Sequence, residues 1–146
     1  MKLYTIGFTQ KSAREFFNKI KNYNIDLLID IRLNNVSQLA GFAKGKDLEY
    51  FLKEICSCEY AHDAVFAPTK SLLDNYRANK TSWKEYEDVF AKIMTDRQIE
   101  GRFKKLYSNY EKICLLCTEP TAEQCHRRLV AEYLQKHFDN IEIIHI

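Results

Sequence analysis

The chain has 146 residues, 46% of them hydrophobic and 29% charged, with 22 Lys and Arg against 20 Asp and Glu and a formal net charge of +2. These proportions suit one globular domain, residues 1–146, that buries its own core. They exclude a disordered or fibrous chain and a globally basic nucleic-acid binder.

The opening MKLYTIGFTQ is too short and too polar for the apolar stretch of an export signal, so a cytoplasmic location is expected. No apolar run approaches the roughly 18 residues of a membrane span, so no membrane partner is expected either. Leu3 to Ile6 form a short apolar run closed by Gly7, the pattern of a strand ending in a turn. Ser12 precedes Glu15 by three, a capping box, and Phe16, Phe17 and Ile20 supply the apolar stripe of a helix. Asp26 to Ile31 is nearly all apolar, as expected of a strand buried on both faces. Strand, helix and strand in about 30 residues make a βαβ unit with a right-handed crossover.

Residues 33–46 are polar, contain Gly41 and Gly45, and read as a long irregular loop. Asp47 is expected to cap a helix running to about Ile55, and Glu59 to Ala61 form a short strand. Helices follow over about 69–78, 82–94 (Ser82 and Glu85 as its capping box) and 96–109. Between Arg97 and Lys112 five cationic residues face two Glu, which reads as a solvated helix face or, less simply, a phosphate-contacting patch. Lys112 to Cys117 form a second buried strand, residues 118–124 a loop, a helix begins near Cys125, and Ile141 to Ile146 close the chain as a strand. The expected fold is α/β: a three-layer sandwich with a mostly parallel sheet covered by helices on both faces.

Ligands of such sheets bind beyond the carboxyl ends of the strands. That edge receives Thr5, Gly7 and Phe8 from the first strand, Asp30 and Arg32 from the second, and Cys117 and Glu119 from the third. Cys125, His126, Arg127 and Arg128 open the last helix, and His145 ends the final strand. Cys117, set against a helix N-terminus and an arginine, is expected to have its thiolate stabilised. The same geometry holds an oxyanion. Cys117, Glu119 and His126 are thus candidate catalytic groups. Thr5, Gly7, Asp30, Arg32, Lys44, Cys125 and Arg127 are candidate anion-binding groups, with Lys44 closing over a ligand from its glycine-flanked loop. Against this stands a plainer reading: Cys117 as a buried apolar thiol, Asp30 and Arg32 as a structural ion pair, and Lys44 as a surface charge.

The five cysteines are odd in number and are read as thiols rather than as a disulfide framework. Cys114 and Cys117 have zinc-like spacing, but strand alternation points them to opposite faces. Cys117, Cys125, His126 and His145 are weighed as a zinc set, and Cys117 with Cys125 as a redox pair. The expectation is no metal and no cofactor.

Tyr4-Thr5-Ile6-Gly7, Leu28-Ile29-Asp30-Ile31-Arg32, Gly41-Phe42-x-Lys44, Leu115-Leu116-Cys117-x-Glu119, Cys125-His126-Arg127 and Ile144-His145-Ile146 together resemble the domain-of-unknown-function 488 family, in order and spacing from end to end. The resemblance implies an α/β domain and no settled reaction. That family usually carries Gly-His-Ser after the first strand, whereas Gly7-Phe8-Thr9 stands here, so no His base is available at position 8. The strand-end Cys and following Arg also look like the rhodanese and Cys-phosphatase design. There, however, the Cys-to-Arg loop is shorter and glycine-rich, and this one lacks Gly and contains Pro120.

Three function classes follow. The first is an enzyme with Cys117 as nucleophile on a small anionic, nucleotide- or phosphate-like substrate. The second is a nucleotide or nucleic-acid binding module without chemistry, in which Tyr76, Trp83 and Tyr86 stack bases if they are not core. The third is an interaction domain in which the Cys-His-Arg cluster only locks loops.

Overall fold

The computed structural model describes residues 1–36 and 40–146. Five strands form one sheet: β1 (Lys2–Gly7), β2 (Leu27–Asp30), β3 (Glu59–His62), β4 (Lys112–Cys117) and β5 (Glu142–His145), in the order β3-β2-β4-β1-β5. Every pairing is parallel, a stricter outcome than the mostly parallel sheet expected. Among the described residues six α-helices lie against it: α1 (Ala13–Asn22), α2 (Gly45–Cys56), α3 (Lys70–Arg77), α4 (Trp83–Arg97), α5 (Ile99–Tyr107) and α6 (His126–His137).

Strand alternation sorts the core into two layers. Tyr4, Ile6, Leu28, Cys114 and Leu116 pack with Phe16, Phe17, Ile20, Leu48 and Leu52 of α1 and α2. Leu3, Leu27, Ile29, Ile113 and Leu115 pack with residues of α4, α5 and α6 such as Phe90, Phe103 and Val130. Cys114 and Cys117 therefore lie on opposite faces, as the spacing requires.

Local signals and structure agree where the cap chemistry is strong. Ser12 accepts from the Glu15 N–H at 3.1 Å and Ser82 from the Glu85 N–H at 3.1 Å. Two expectations are corrected. The α2 helix starts at Gly45, not at Asp47; the Gly45 N–H is held by the Asn35 carbonyl at 2.9 Å, and Asp47 falls within the first turn, where it suits the helix dipole. The segment 33–46 is not irregular throughout. Residues 41–43 form a turn of 3₁₀ helix and α2 begins inside it, while the part of that expectation falling on 37–39 lies outside the described residues. The break between α4 and α5 sits at Gln98, whose φ of 51° is left-handed.

The order of the strands creates the crevice. From β1 the chain moves through α1 to β2, two places along the sheet. From β4 it moves the other way through α6, past β1, to β5. The two crossovers lie on opposite faces and diverge at the carboxyl ends of β2, β4 and β1, which is where a switch in direction opens a ligand site.

Candidate functional site

A cavity of about 420 Å³ opens at that edge. Its floor holds Cys117, Cys125 and His126. Its sides include Arg32 and Asn34 after β2, Thr118 and Glu119 after β4, and Tyr76, Trp83 and Tyr86 from α3 and α4. Cys117 ends β4 on the same face as Leu115, so its sulfur points toward α6. It is 4% exposed.

His126 is the first residue of α6, after Cys125 at the N-cap. Its Nδ1 lies 3.3 Å from Cys117 Sγ, and its Nε2 lies 2.8 Å from the Ile31 carbonyl oxygen. A carbonyl only accepts, so Nε2 carries a proton and donates it there. Nδ1 is then the nitrogen left without that proton, on the side nearer the thiol. The Ile31 carbonyl fixes the tautomer and the orientation of the ring.

Arg127 is 1% exposed and has no carboxylate partner among the described residues. Its Nη1 donates to the Glu119 carbonyl at 2.6 Å and to Cys125 Sγ at 3.6 Å, and its Nε donates to Thr5 Oγ1 at 3.3 Å. Thr5 Oγ1 in turn lies 2.6 Å from His145 Nδ1. Burial raises the Cys117 pKa, but four favourable contacts outweigh it. These are the hydrogen bond from Cys125, the Thr118 N–H, the Arg127 charge and the Glu119 N–H, so the net shift is downward. Cys125 moves the other way, chiefly because its thiol donates to Cys117, and also because it is buried.

Arg32 is the second buried guanidinium, 3% exposed. Its Nε and Nη2 clasp the Asp30 carboxylate at 2.8 and 2.6 Å, and Nη2 also reaches the Ala43 carbonyl at 2.6 Å. Tyr60 Oη donates to the same carboxylate at 2.7 Å. The Phe8 ring lies under the guanidinium, its centroid 5.1 Å from Cζ. Burial works against the Arg32 charge, and the Asp30 hydrogen bonds overcome it, raising its pKa. Arg32 Nη1 is buried and has no hydrogen-bond partner among the described residues, on a side chain that lines the cavity. That is a spare donor where an anion would sit.

Of the residues expected at the site, Cys117, Glu119, His126, Arg32 and Cys125 line the cavity together. Thr5, Asp30 and Arg127 stand behind it. Gly7 serves close approach: a Cβ there would lie 1.6 Å from the Glu119 carbonyl oxygen, which lets the 118–124 loop cross the end of β1. Thr9 ties the same loop down by donating from Oγ1 to the Thr118 carbonyl at 2.8 Å. Lys44 is half-buried at the N-cap of α2 and does not line the cavity.

Sequence reasoning missed the Ile31 carbonyl, which carries no side-chain signal, and Lys70 and Arg77, which the α3 periodicity places on the cavity side. Tyr86 is core as well as wall, stacked on Trp83 at 4.9 Å. In the basic stretch, Arg97 is spent on the Val65 and Ala67 carbonyls and Arg102 on Asp63.

Cys117, Cys125 and His126 have their donor atoms within 4.8 Å of one another, close enough to share a soft cation, whereas His145 is tied to Thr5 instead.

A parallel α/β sandwich with a thiol, an imidazole and two buried guanidinium groups at its switch point is the class of protein that fold and site define. The family model described as Domain of unknown function DUF488 matches residues 12–134, and the chain belongs to that family. No curated protein and no solved structure matches it. No helix among the described residues is long and apolar enough to cross a membrane.

Proposed function

We propose that this chain is an enzyme in which the Cys117 thiolate attacks a small anionic, nucleotide- or phosphate-like substrate. The observation that carries this reading is the 3.3 Å contact between Cys117 Sγ and His126 Nδ1, with Nε2, 3.8 Å from the same sulfur, committed to Ile31. His126 takes the thiol proton and returns it to the leaving group. Glu119, exposed at the rim, is the second proton carrier. Arg32 offers Nη1 to the anion, and the N-terminus of α6, where Cys125 makes no side-chain cap hydrogen bond, adds its positive end. The thiol chemistry is of the rhodanese and Cys-phosphatase kind, on a longer loop without glycine: the Thr118 and Glu119 N–H groups face the sulfur, and Pro120 has none to offer.

The test is alkylation at pH 7 with a neutral and an anionic reagent. Cys117 is expected to react with iodoacetamide faster than a free thiol, because a lowered pKa raises the thiolate fraction at pH 7. Iodoacetate is expected to gain further from the cationic cavity. A Cys117 rate no faster than that of a free thiol defeats the reading.

A second reading has its own support in Tyr76, Trp83 and Tyr86, with Lys70 and Arg77 beside them on the cavity wall. These groups suit a nucleotide or nucleic-acid end held without chemistry. Salt-dependent binding of adenosine monophosphate that survives Cys117→Ser, together with slow alkylation, would establish it instead.

A further inference from the structure

Cys125 has no part in the chemistry just described beyond donating to Cys117, yet it is placed as a reactant. Its sulfur lies within 4.8 Å of Cys117 Sγ, on a separate element joined to β4 by the 118–124 loop. A disulfide of about 2.05 Å requires that gap to close by under roughly 3 Å, within reach of side-chain rotation and a small loop shift. The remaining cysteines do not compete. Cys114 and Cys58 pack in the core on the opposite face of the sheet, and Cys56 hydrogen-bonds the Phe17 carbonyl there at 3.4 Å.

We infer that Cys117 and Cys125 form a dithiol centre that reduces a hydroperoxide, with Cys117 as the attacking sulfur and Cys125 as the resolving one. This goes beyond the proposed reaction but rests on its reading of Cys117 as a nucleophile. In the first step the Cys117 thiolate attacks the terminal peroxide oxygen. The S–O bond forms, the O–O bond breaks, and the alkoxide leaves and is protonated to the alcohol. In the second step Cys125, having given its proton to His126 Nδ1, attacks the Cys117 sulfur. The S–S bond forms, the S–O bond breaks, and hydroxide leaves and is protonated to water. The two sulfurs are oxidised by one electron each and the peroxide is reduced by two. An external dithiol restores the centre.

Arg127 explains the order of events. It is buried, lacks a carboxylate partner among the described residues, lies 3.6 Å from Cys125 Sγ, and carries a charge that favours the Cys117 thiolate. While Cys117 is a thiolate, that thiolate is its counter-charge. Once Cys117 becomes a neutral sulfenic acid, the guanidinium is left with Cys125, 3.6 Å away, as its closest source of negative charge. Oxidation of the first sulfur thereby favours ionisation of the second. The cavity gives a small peroxide access to Cys117.

The experiment treats the reduced full chain with one equivalent of hydrogen peroxide, counts free thiols after denaturation and maps the cross-link. Free thiols are expected to fall from five to three, with Cys117 joined to Cys125 in one chain and the link reversed by dithiothreitol. In Cys125→Ser, dimedone is expected to trap a sulfenic acid at Cys117. Should that variant not fold, the wild-type cross-link map decides alone. A sulfinic Cys117 beside a free Cys125, or a disulfide made with another cysteine or between chains, overturns the inference. Fast alkylation without the cross-link defeats this inference only, whereas slow alkylation in the absence of peroxide defeats the nucleophile reading as well.

Discussion

Two arginines end up equally deep at the same edge of the sheet, and their charges are balanced in different ways. Arg32 is closed by a carboxylate two residues away in a bidentate pair. Arg127 is closed by hydroxyl, carbonyl and sulfur, with no carboxylate among the described residues. A buried cation without an anion is costly, so the region around Arg127 is stable only if something nearby carries negative charge. The Cys117 thiol is the group placed to do so. The first pair is therefore a structural clasp with one spare donor, and on the reading proposed above the second favours the Cys117 thiolate.

Breaking the clasp should have the largest effect. Asp30→Asn strands the Arg32 charge in the interior, and a loss of about 3–5 kcal/mol is expected in urea unfolding. Gly7→Ala forces the Glu119 carbonyl away from β1. A destabilisation on the order of 3 kcal/mol is expected, with slower Cys117 alkylation, because the same loop supplies the N–H groups on the sulfur. Arg127→Gln should separate the two regions. Alkylation of Cys117 at pH 7 should slow while the Asp30–Arg32 pair is untouched, and an unchanged rate would end the counter-charge argument.

The pH dependence sharpens the same contrast. The folded Cys117 pKa lies below its unfolded value, so between the two the unfolded chain holds the extra proton and stability rises with pH. That contribution is complete above the unfolded thiol pKa and is lost as pH falls through the folded one. The stability gap between wild type and Cys117→Ser should therefore widen from pH 6 to pH 9. Taking the difference cancels opposing groups such as Cys58, whose thiol burial pushes up to about 12. The smallest effect is the control: Ser12→Ala removes an exposed helix cap that does not line the cavity, at a cost of about 1 kcal/mol with no change in alkylation.

Much of this was legible before any coordinates. Buried strands announce themselves as apolar runs such as Leu27 to Ile29, and helix starts as Ser12–Glu15 and Ser82–Glu85, because these patterns satisfy backbone groups locally. The clustering of Cys117, Cys125, His126 and Arg32 followed from one rule about strand ends. Less legible were the start of α2, where a contact from distant Asn35 outweighs the capping preference of Asp47, and the place of Lys44. The purpose of Gly7 was hidden as well. It reads as a turn residue, and its actual use depends on a loop more than a hundred positions later.

The amino-acid sequence by itself determined the α/β class, the layers, the strand-end position of Cys117 and the family, because periodicity, capping and motif spacing are short-range properties carried by neighbouring residues. The tertiary structure alone decided that β4 lies between β1 and β2, that the Ile31 carbonyl orients His126, and that Arg127 has sulfur rather than carboxylate for company. Those contacts include segments 110 residues apart, as where Lys2 pairs with Lys112, and 95 apart, as where Ile31 meets His126. Their energies come from burial and charge compensation, which exist only once the sheet has closed over them.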